Sequence, residues 1–221
     1  MRLDDKAHVI DRSGQWTHLD CVMHAIPVQN ETVFTNPSAP PGKSQQYAKP
    51  ERERRFLLAE LPVGEIERTT NITDRYFLGT RLRLRLMLET RGVATRTYYK
   101  LTQKIPAPDG GPGLLSTTYL NEEEFALLST LPGSVLRKTR YSIPPFGVDV
   151  FDSPLGGLIL AECEFDDHAT MHSFIPPAWI LAEVTFDSRF TGGRLATMDT
   201  GDLARLLSPF GVVPQRTSTP R

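Results

Sequence analysis

The strongest periodicity in the chain lies at residues 76–88, which read Tyr-Phe-Leu-Gly-Thr-Arg-Leu-Arg-Leu-Arg-Leu-Met-Leu. Apolar and basic residues alternate there with a period of two, as in a half-buried strand. An extended backbone sends successive side chains to opposite faces, so Leu82, Leu84, Leu86 and Leu88 share one side and Arg81, Arg83 and Arg85 the other. The two-faced pattern recurs along the chain. Residues 49–58 place Glu51, Glu53 and Arg55 on one face and Arg52, Arg54 and Phe56 on the other. Residues 97–105 align Tyr98, Lys100, Thr102 and Lys104, and residues 135–143 carry Lys138 and Arg140 together. Residues 147–151 turn Asp149 away from Val148 and Val150. Residues 158–165 pair Glu162 with Glu164, opposite Ile159, Ala161, Cys163 and Phe165. Further strands are expected at 66–72, with a bend at 71–74, and at 114–120 and 179–186. Asn121 followed by Glu124 predicts a capped helix with Phe125, Leu127, Leu128 and Leu131 on its apolar side, ended by Pro132-Gly133. A terminal helix is expected at 202–207.

Composition narrows the classes. The chain has 221 residues and a formal net charge of -1. That length suits one domain with an extension, and the charge balance argues against a dedicated nucleic-acid or membrane surface. No aromatic residues interleave the arginines of residues 76–88 as a nucleic-acid face would require. Two cysteines, Cys21 and Cys163, give no disulfide framework, so a reducing cytoplasm is the expected compartment. No leader-like or membrane-length apolar run is present in the sequence. Residues 1–48 have few periodic apolar positions and end in a Pro-, Ser- and Gly-rich stretch, which predicts a disordered extension ahead of a domain at 49–221. Residues 106–113 are a Pro- and Gly-rich hairpin connection without the Gly-Lys-Ser/Thr of a phosphate loop. Cys163 reads as a small core residue; with His168 and His172 it offers zinc three donors and no evident fourth.

An ordinary sandwich scatters exposed charges of both signs. Here one face of several strands is almost purely charged and the other apolar, which fits a closed antiparallel barrel with a polar lumen and apolar outer faces covered by helices. The lumen bases would be Arg55, Arg81, Arg83, Arg85, Lys100, Lys104, Lys138 and Arg140, outnumbering the acids Glu51, Glu53, Asp149, Glu162 and Glu164. Charges enclosed in that number must be paired or completed by a ligand. A polyphosphate with a divalent cation satisfies both signs, because guanidinium forks match phosphate oxygens and carboxylates match the metal.

These residues resemble those of the CYTH domain, the triphosphate tunnel metalloenzyme superfamily. Glu51-Arg52-Glu53-Arg54-Arg55 is similar to its signature Glu-x-Glu-x-Lys strand, and Gly79-Thr80-Arg81-Leu82-Arg83-Leu84-Arg85 to its arginine strand. Leu101-Thr102-Gln103-Lys104, Lys138-Thr139-Arg140, Val148-Asp149-Val150 and Glu162-Cys163-Glu164 resemble the later strands in the right order, and Glu183-Val184-Thr185 with Arg189-Phe190 the closing segment. The resemblance implies an eight-stranded closed tunnel that hydrolyses a triphosphate, inorganic triphosphate first among candidates. It implies Mg2+ or Mn2+ on Glu51, Glu53, Glu162 and Glu164, with Glu51, Glu53 and Arg55 at the catalytic centre. Arg81, Arg83, Arg85, Lys100, Lys104, Lys138 and Arg140 would hold the substrate, with Asp149 orienting them. The partner would be a small-molecule triphosphate, with neither nucleic acid nor membrane. Other implied functions are a non-catalytic polyphosphate- or nucleotide-binding module, an adenylate cyclase of class IV type, and a thiamine triphosphatase. Two departures stand out: Arg55 replaces the family's lysine, and residues 114–120 carry no acid, which predicts one tightly held metal rather than two.

Overall fold

The structure, a computed structural model, describes residues 8–10, 16–18, 48–105 and 113–214. The chain forms two units, Met1–Ala39 and Pro40–Arg221. In the first, β1 (His8–Ile10) and β2 (Trp16–His18) pair antiparallel, with His8 opposite His18. The disorder expected for residues 1–48 falls almost wholly outside the described residues, as does most of the connection expected at 106–113.

The second unit runs β3 (Lys49–Pro50), β4 (Glu53–Leu58), β5 (Arg68–Phe77), β6 (Leu82–Arg91), β7 (Ala94–Ile105), β8 (Leu114–Leu120), α1 (Glu122–Ser129), β9 (Gly133–Ile143), β10 (Phe146–Phe151) and β11 (Ile159–Glu164). Then come α2 (His168–Ser173), β12 (Ala182–Glu183), α3 (Gly192–Leu195) and α4 (Thr200–Leu207). The strands form one 10-stranded sheet in the order β12-β4-β11-β10-β9-β5-β6-β7-β8-β3, with every neighbouring pair antiparallel. No described helix is long and apolar enough to cross a membrane.

The sheet is mainly antiparallel as expected, but among the described residues it is not closed into the eight-stranded barrel: it has ten strands, with β12 and β3 as its edges. The opening segment touches both ends, since β3 pairs with β8 while β4 pairs with β11 and β12. Pro50 has no N–H to continue the β3 ladder. The next amide, of Glu51, donates to the Gly113 carbonyl at 2.8 Å, and the chain then crosses to the other edge. The strand expected at 179–186 shrinks to β12 because turns close on both sides of it, Ile180 N–H to the Pro177 carbonyl and Asp187 N–H to the Val184 carbonyl.

Two boundaries also move. Asn71 and Asp74 are turn-formers by local preference, yet β5 runs straight through them because β6 and β9 pair it on both sides. The turn falls instead at residues 78–81, where Gly79 takes φ of 69°, so Tyr76 and Phe77 end β5 and Arg81 lies in the turn. By contrast, α1 has the expected capping box, with Asn121 Oδ1 accepting from the Glu124 amide at 2.8 Å and Glu124 accepting from the Asn121 amide at 2.8 Å.

Both faces of the sheet are covered. On the face bearing Arg54, the residues Phe56, Leu58, Phe146, Val148, Ala161 and Cys163 pack with Phe174 and Ile180. Arg54 clamps this side, pairing with Glu183 at 2.6 Å and donating to the Phe174 carbonyl at 2.7 Å. The face bearing Glu53 and Arg55 is not charged throughout, as the sequence pattern had implied. Leu57, Leu136, Phe151 and Leu160 occupy it too and bury against Phe190, Leu195 and α4. That helix presents Leu203, Leu206 and Leu207, a spacing of three and four that puts all three on one side. The terminal helix therefore packs on the inner, functional face, and the strands change from charged to apolar along it. Leu57→Ala should cost about 2–5 kcal/mol, because Leu57 is fully buried between sheet and helix. Leu127→Ala, on an α1 side chain left exposed, should stay within about 0.5 kcal/mol. Urea unfolding of the two variants checks the contrast.

Candidate functional site

The charged part of the inner face surrounds a cavity of about 170 Å³. Strand parity delivers its lining. β4 and the residues before it contribute Glu51, Glu53 and Arg55; β6 contributes Arg83 and Arg85; β7 contributes Lys104; β9 contributes Lys138 and Arg140; β11 contributes Glu162 and Glu164. Tyr76 of β5, Leu115 of β8, Gly192 of α3 and the apolar Leu136, Phe151, Leu160, Phe190 and Leu195 complete the wall.

The groups are paired with one another. Arg55 donates to Glu162 at 3.0 Å and also to Glu53. Arg140 donates from Nε to Asp149 Oδ1 at 2.7 Å and from Nη2 to both Asp149 and Glu162. Lys138 Nζ donates to Asp149 Oδ2 at 2.5 Å. Lys104 Nζ of β7 donates to Glu51, which lies between β3 and β4, at 2.5 Å. Asp149, fully buried on β10, thus holds two cations of β9, the orienting role implied for it. Asp74, fully buried on β5, does the same for β6: Arg85 donates to it at 2.6 and 2.8 Å, and Arg83 Nε lies 3.7 Å from it.

Position sets the ionisation of these groups. Burial, then the charge of Glu162, pushes the Glu53 carboxyl up to about 7. The short Glu53–Arg55 pair pulls the other way, but Arg55 divides its donors between Glu53 and Glu162 and leaves Glu53 undercompensated. Burial also opposes the charge on Glu162, yet Arg140, Lys138 and Arg55 together hold its carboxyl well below the usual range. Asp74 is likewise held low, Arg85 overcoming the effect of burial. Burial followed by the charge of Asp74 raises the Tyr76 phenol to about 12, so it keeps its proton. The Tyr76 hydroxyl sits where a side chain at residue 192 would be; a Cβ on Gly192 would lie 1.9 Å from it.

Two of the predicted substrate-binding residues fall outside this lining. Arg81 is exposed in the turn before β6. Lys100 is on the expected face, but its Nζ lies 4.9 Å from the centre of the Tyr119 ring and the side chain does not line the cavity. With those two out and Asp74 in, the expected basic surplus disappears. Arg55, Arg83, Arg85, Lys104, Lys138 and Arg140 are matched by Glu51, Glu53, Glu162 and Glu164 with the buried Asp74 and Asp149. Asp74 had a legible signal: arginines at alternate positions of a buried face need a counter-ion on the neighbouring strand.

Among the described residues, no three His, Cys, Asp or Glu side chains are gathered as a preformed metal cluster. Cys163, His168 and His172, three donors short of a fourth in the sequence, form no such cluster among the described residues: Cys163 is buried, and His168 and His172 stack 6.4 Å apart on α2. The lining nonetheless suits a hard divalent cation. Its donors are carboxylate oxygens, and burial, then the charge of Glu162, opposes the charge on Glu53, which a nearby cation would relieve. It also suits an oxyanion, because Arg83 Nε is buried without a hydrogen-bond partner among the described residues.

Comparison with known proteins agrees with the lining. No protein-family model matches the chain. The inorganic triphosphatase of Nitrosomonas europaea is 33% identical over 155 residues, which span 66% of this chain and 96% of that protein. A crystal structure of an inorganic triphosphatase aligns at 29% identity over 67% of this chain and 95% of its own, with a TM-score of 0.46. A protein of Pyrococcus horikoshii OT3 aligns at 17% identity over 75% of this chain and 94% of its own, with a TM-score of 0.38. Given the relative matched over nearly its whole length and the ordered charged strands that line one cavity, the chain belongs to the CYTH, or triphosphate tunnel metalloenzyme, superfamily.

Proposed function

We propose that this chain is a hydrolase that cleaves a terminal phosphoanhydride of inorganic triphosphate, with Mg2+ or Mn2+ as its cation. The observation that carries the reading is the ring of cations from four separate strands around one small cavity, with a buried arginine Nε still lacking an acceptor. Arg83, Arg85, Lys138 and Arg140 are held by carboxylates from behind, so their remaining donors meet phosphate oxygens without reorganising. Arg55 and Lys104, now paired with Glu53, Glu162 and Glu51, exchange those carboxylates for phosphate.

The metal would be held by Glu51, Glu53 and Glu164, since Glu162 stays paired with Arg140 when Arg55 turns to phosphate. When bound, it supplies Lewis-acid stabilisation of the charge on the transferring phosphoryl group. From β8 the cavity receives Leu115, and the Thr117 hydroxyl is taken by Thr102 at 3.2 Å, so that wall offers no carboxylate to a second ion. One tight metal site per chain is the expected stoichiometry. No serine, threonine, cysteine or histidine is among the described lining residues, the Tyr76 phenol stays protonated, and Lys138 is tied to Asp149. The nucleophile is accordingly a water rather than a side chain, as suits phosphoryl transfer driven by positioning and charge. Residues 49–221 are the catalytic unit in this reading, and the cytoplasm is its compartment.

Phosphate release with Mg2+ should be fastest from inorganic triphosphate among triphosphate, pyrophosphate, ATP and thiamine triphosphate. Binding of triphosphate with no release would make the chain a sensor, and faster release from an organic triphosphate would replace the substrate. Glu53→Gln should lower the rate by about a hundredfold or more, the scale of losing a ligand or charge stabiliser at the reacting centre. In chelator its melting temperature should hold or rise, because folding presses against the charge on Glu53. A lower melting temperature would show that its pair with Arg55 dominates. Gly192→Ala should also impair turnover, since the new methyl displaces the Tyr76 hydroxyl from the wall; an unchanged rate would show that Tyr76 yields freely.

A further inference from the structure

β5 stands between the two strands that carry most of the cavity's cations, β6 with Arg83 and Arg85 and β9 with Lys138 and Arg140. At the centre of β5, Asp74 has register partners Arg85 on one side and Leu136 on the other, and it is fully buried. Arg85 spends Nε and Nη2 on its two oxygens. The donors Arg85 keeps for a ligand are the two of Nη1 and the second of Nη2. Arg83 is held more loosely: its Nε is 3.7 Å from Asp74 Oδ1 and makes no hydrogen bond, while Nη2 donates to Thr102 at 3.4 Å. One carboxylate thus locks the first guanidinium and leaves the second close, buried and short of an acceptor.

We propose that Asp74 is a positioning residue for triphosphate binding, acting through Arg83 and Arg85. This rests on the reading of the cavity as a triphosphate site. Arginines two positions apart on one strand face repel each other and, without a counter-charge between them, turn away from a shared target. A carboxylate behind them cancels that repulsion at no cost to the donors that face the cavity. The arrangement repeats the one Asp149 makes with Lys138 and Arg140 on the far side of β9. The two aspartates therefore set the direction of four phosphate-binding side chains from outside the cavity lining. An influence exerted before the substrate arrives belongs to binding, so it registers in KM more than in kcat.

The test uses the full chain with inorganic triphosphate and Mg2+. Asp74→Asn should raise KM about tenfold or more while kcat holds within about threefold. In an Arg85→Gln background, the further effect of Asp74→Asn on KM should shrink to about twofold or less, because two residues that act as a unit are not additive. If Asp74→Asn alone does not fold, the double variant Asp74→Asn/Arg85→Gln, which removes both charges of the buried pair, gives the same comparison against Arg85→Gln. An unchanged KM in Asp74→Asn, or a full-sized effect persisting without Arg85, overturns the positioning role. Absence of triphosphate turnover in the unmodified chain would instead overturn the reading of the cavity itself.

Discussion

The constraint on which the structure depends is the burial of several like charges in a small volume. Lys138, Arg140, Arg83 and Arg85 crowd two strands that flank β5, and burying them there without counter-ions would be costly. Asp74 and Asp149 meet that need from fully buried positions, each serving two cations. Burial opposes the charge on Lys138 and lowers its pKa from the usual amine value, so its ion pair with Asp149 is what keeps an ammonium in place. A pair of this kind adds little net stability compared with an apolar core. Its presence here reflects a ligand that needs oriented cations.

Stability comes from elsewhere. The same strands that carry charge along one stretch of the inner face carry Leu57, Leu136, Phe151 and Leu160 along the next, and α4 closes over them. The opposite face rests on Phe56 and Phe146, whose rings meet edge-on at 6.1 Å between centroids, with Phe174 beside them. The cavity is therefore a charged chamber bordered on the same face by one apolar cluster, while the second cluster backs the sheet from the other side. Glu51, between β3 and β4, is held there by its pair with Lys104 of β7.

Charge balance shapes what the cavity does with a ligand. Its cations and carboxylates, counted with the two buried aspartates, are equal in number, so a bare polyanion would leave the site strongly negative. In the proposed reaction a divalent cation entering with the anion would offset that charge, and each partner would free side chains that the other needs. The Glu53 carboxyl, pressed up to about 7 by burial and by Glu162, is where the ligand-free site is least satisfied.

Much of this was legible before the fold was known. Alternation at residues 76–88, the shared face of Lys138 and Arg140 in 135–143, and the charge parity of Glu51, Glu53 and Arg55, identified strands, faces and most of the lining, because a pleated strand converts sequence parity directly into side-chain direction. The capping box of α1 was equally local and formed as expected. What parity cannot supply is which residues are covered and where a sheet ends. Asp74 looked like part of a bend until pairing on both edges made it the buried centre of a strand. Arg81 and Lys100 had the right parity, yet a turn and an aromatic ring took them out of the cavity. The open edge, the helix packed on the inner face and the approach of Gly192 to Tyr76 all join residues far apart in the chain. Such contacts depend on how the sheet curves and what packs against it, and those are properties of the whole folded unit rather than of any local stretch of residues.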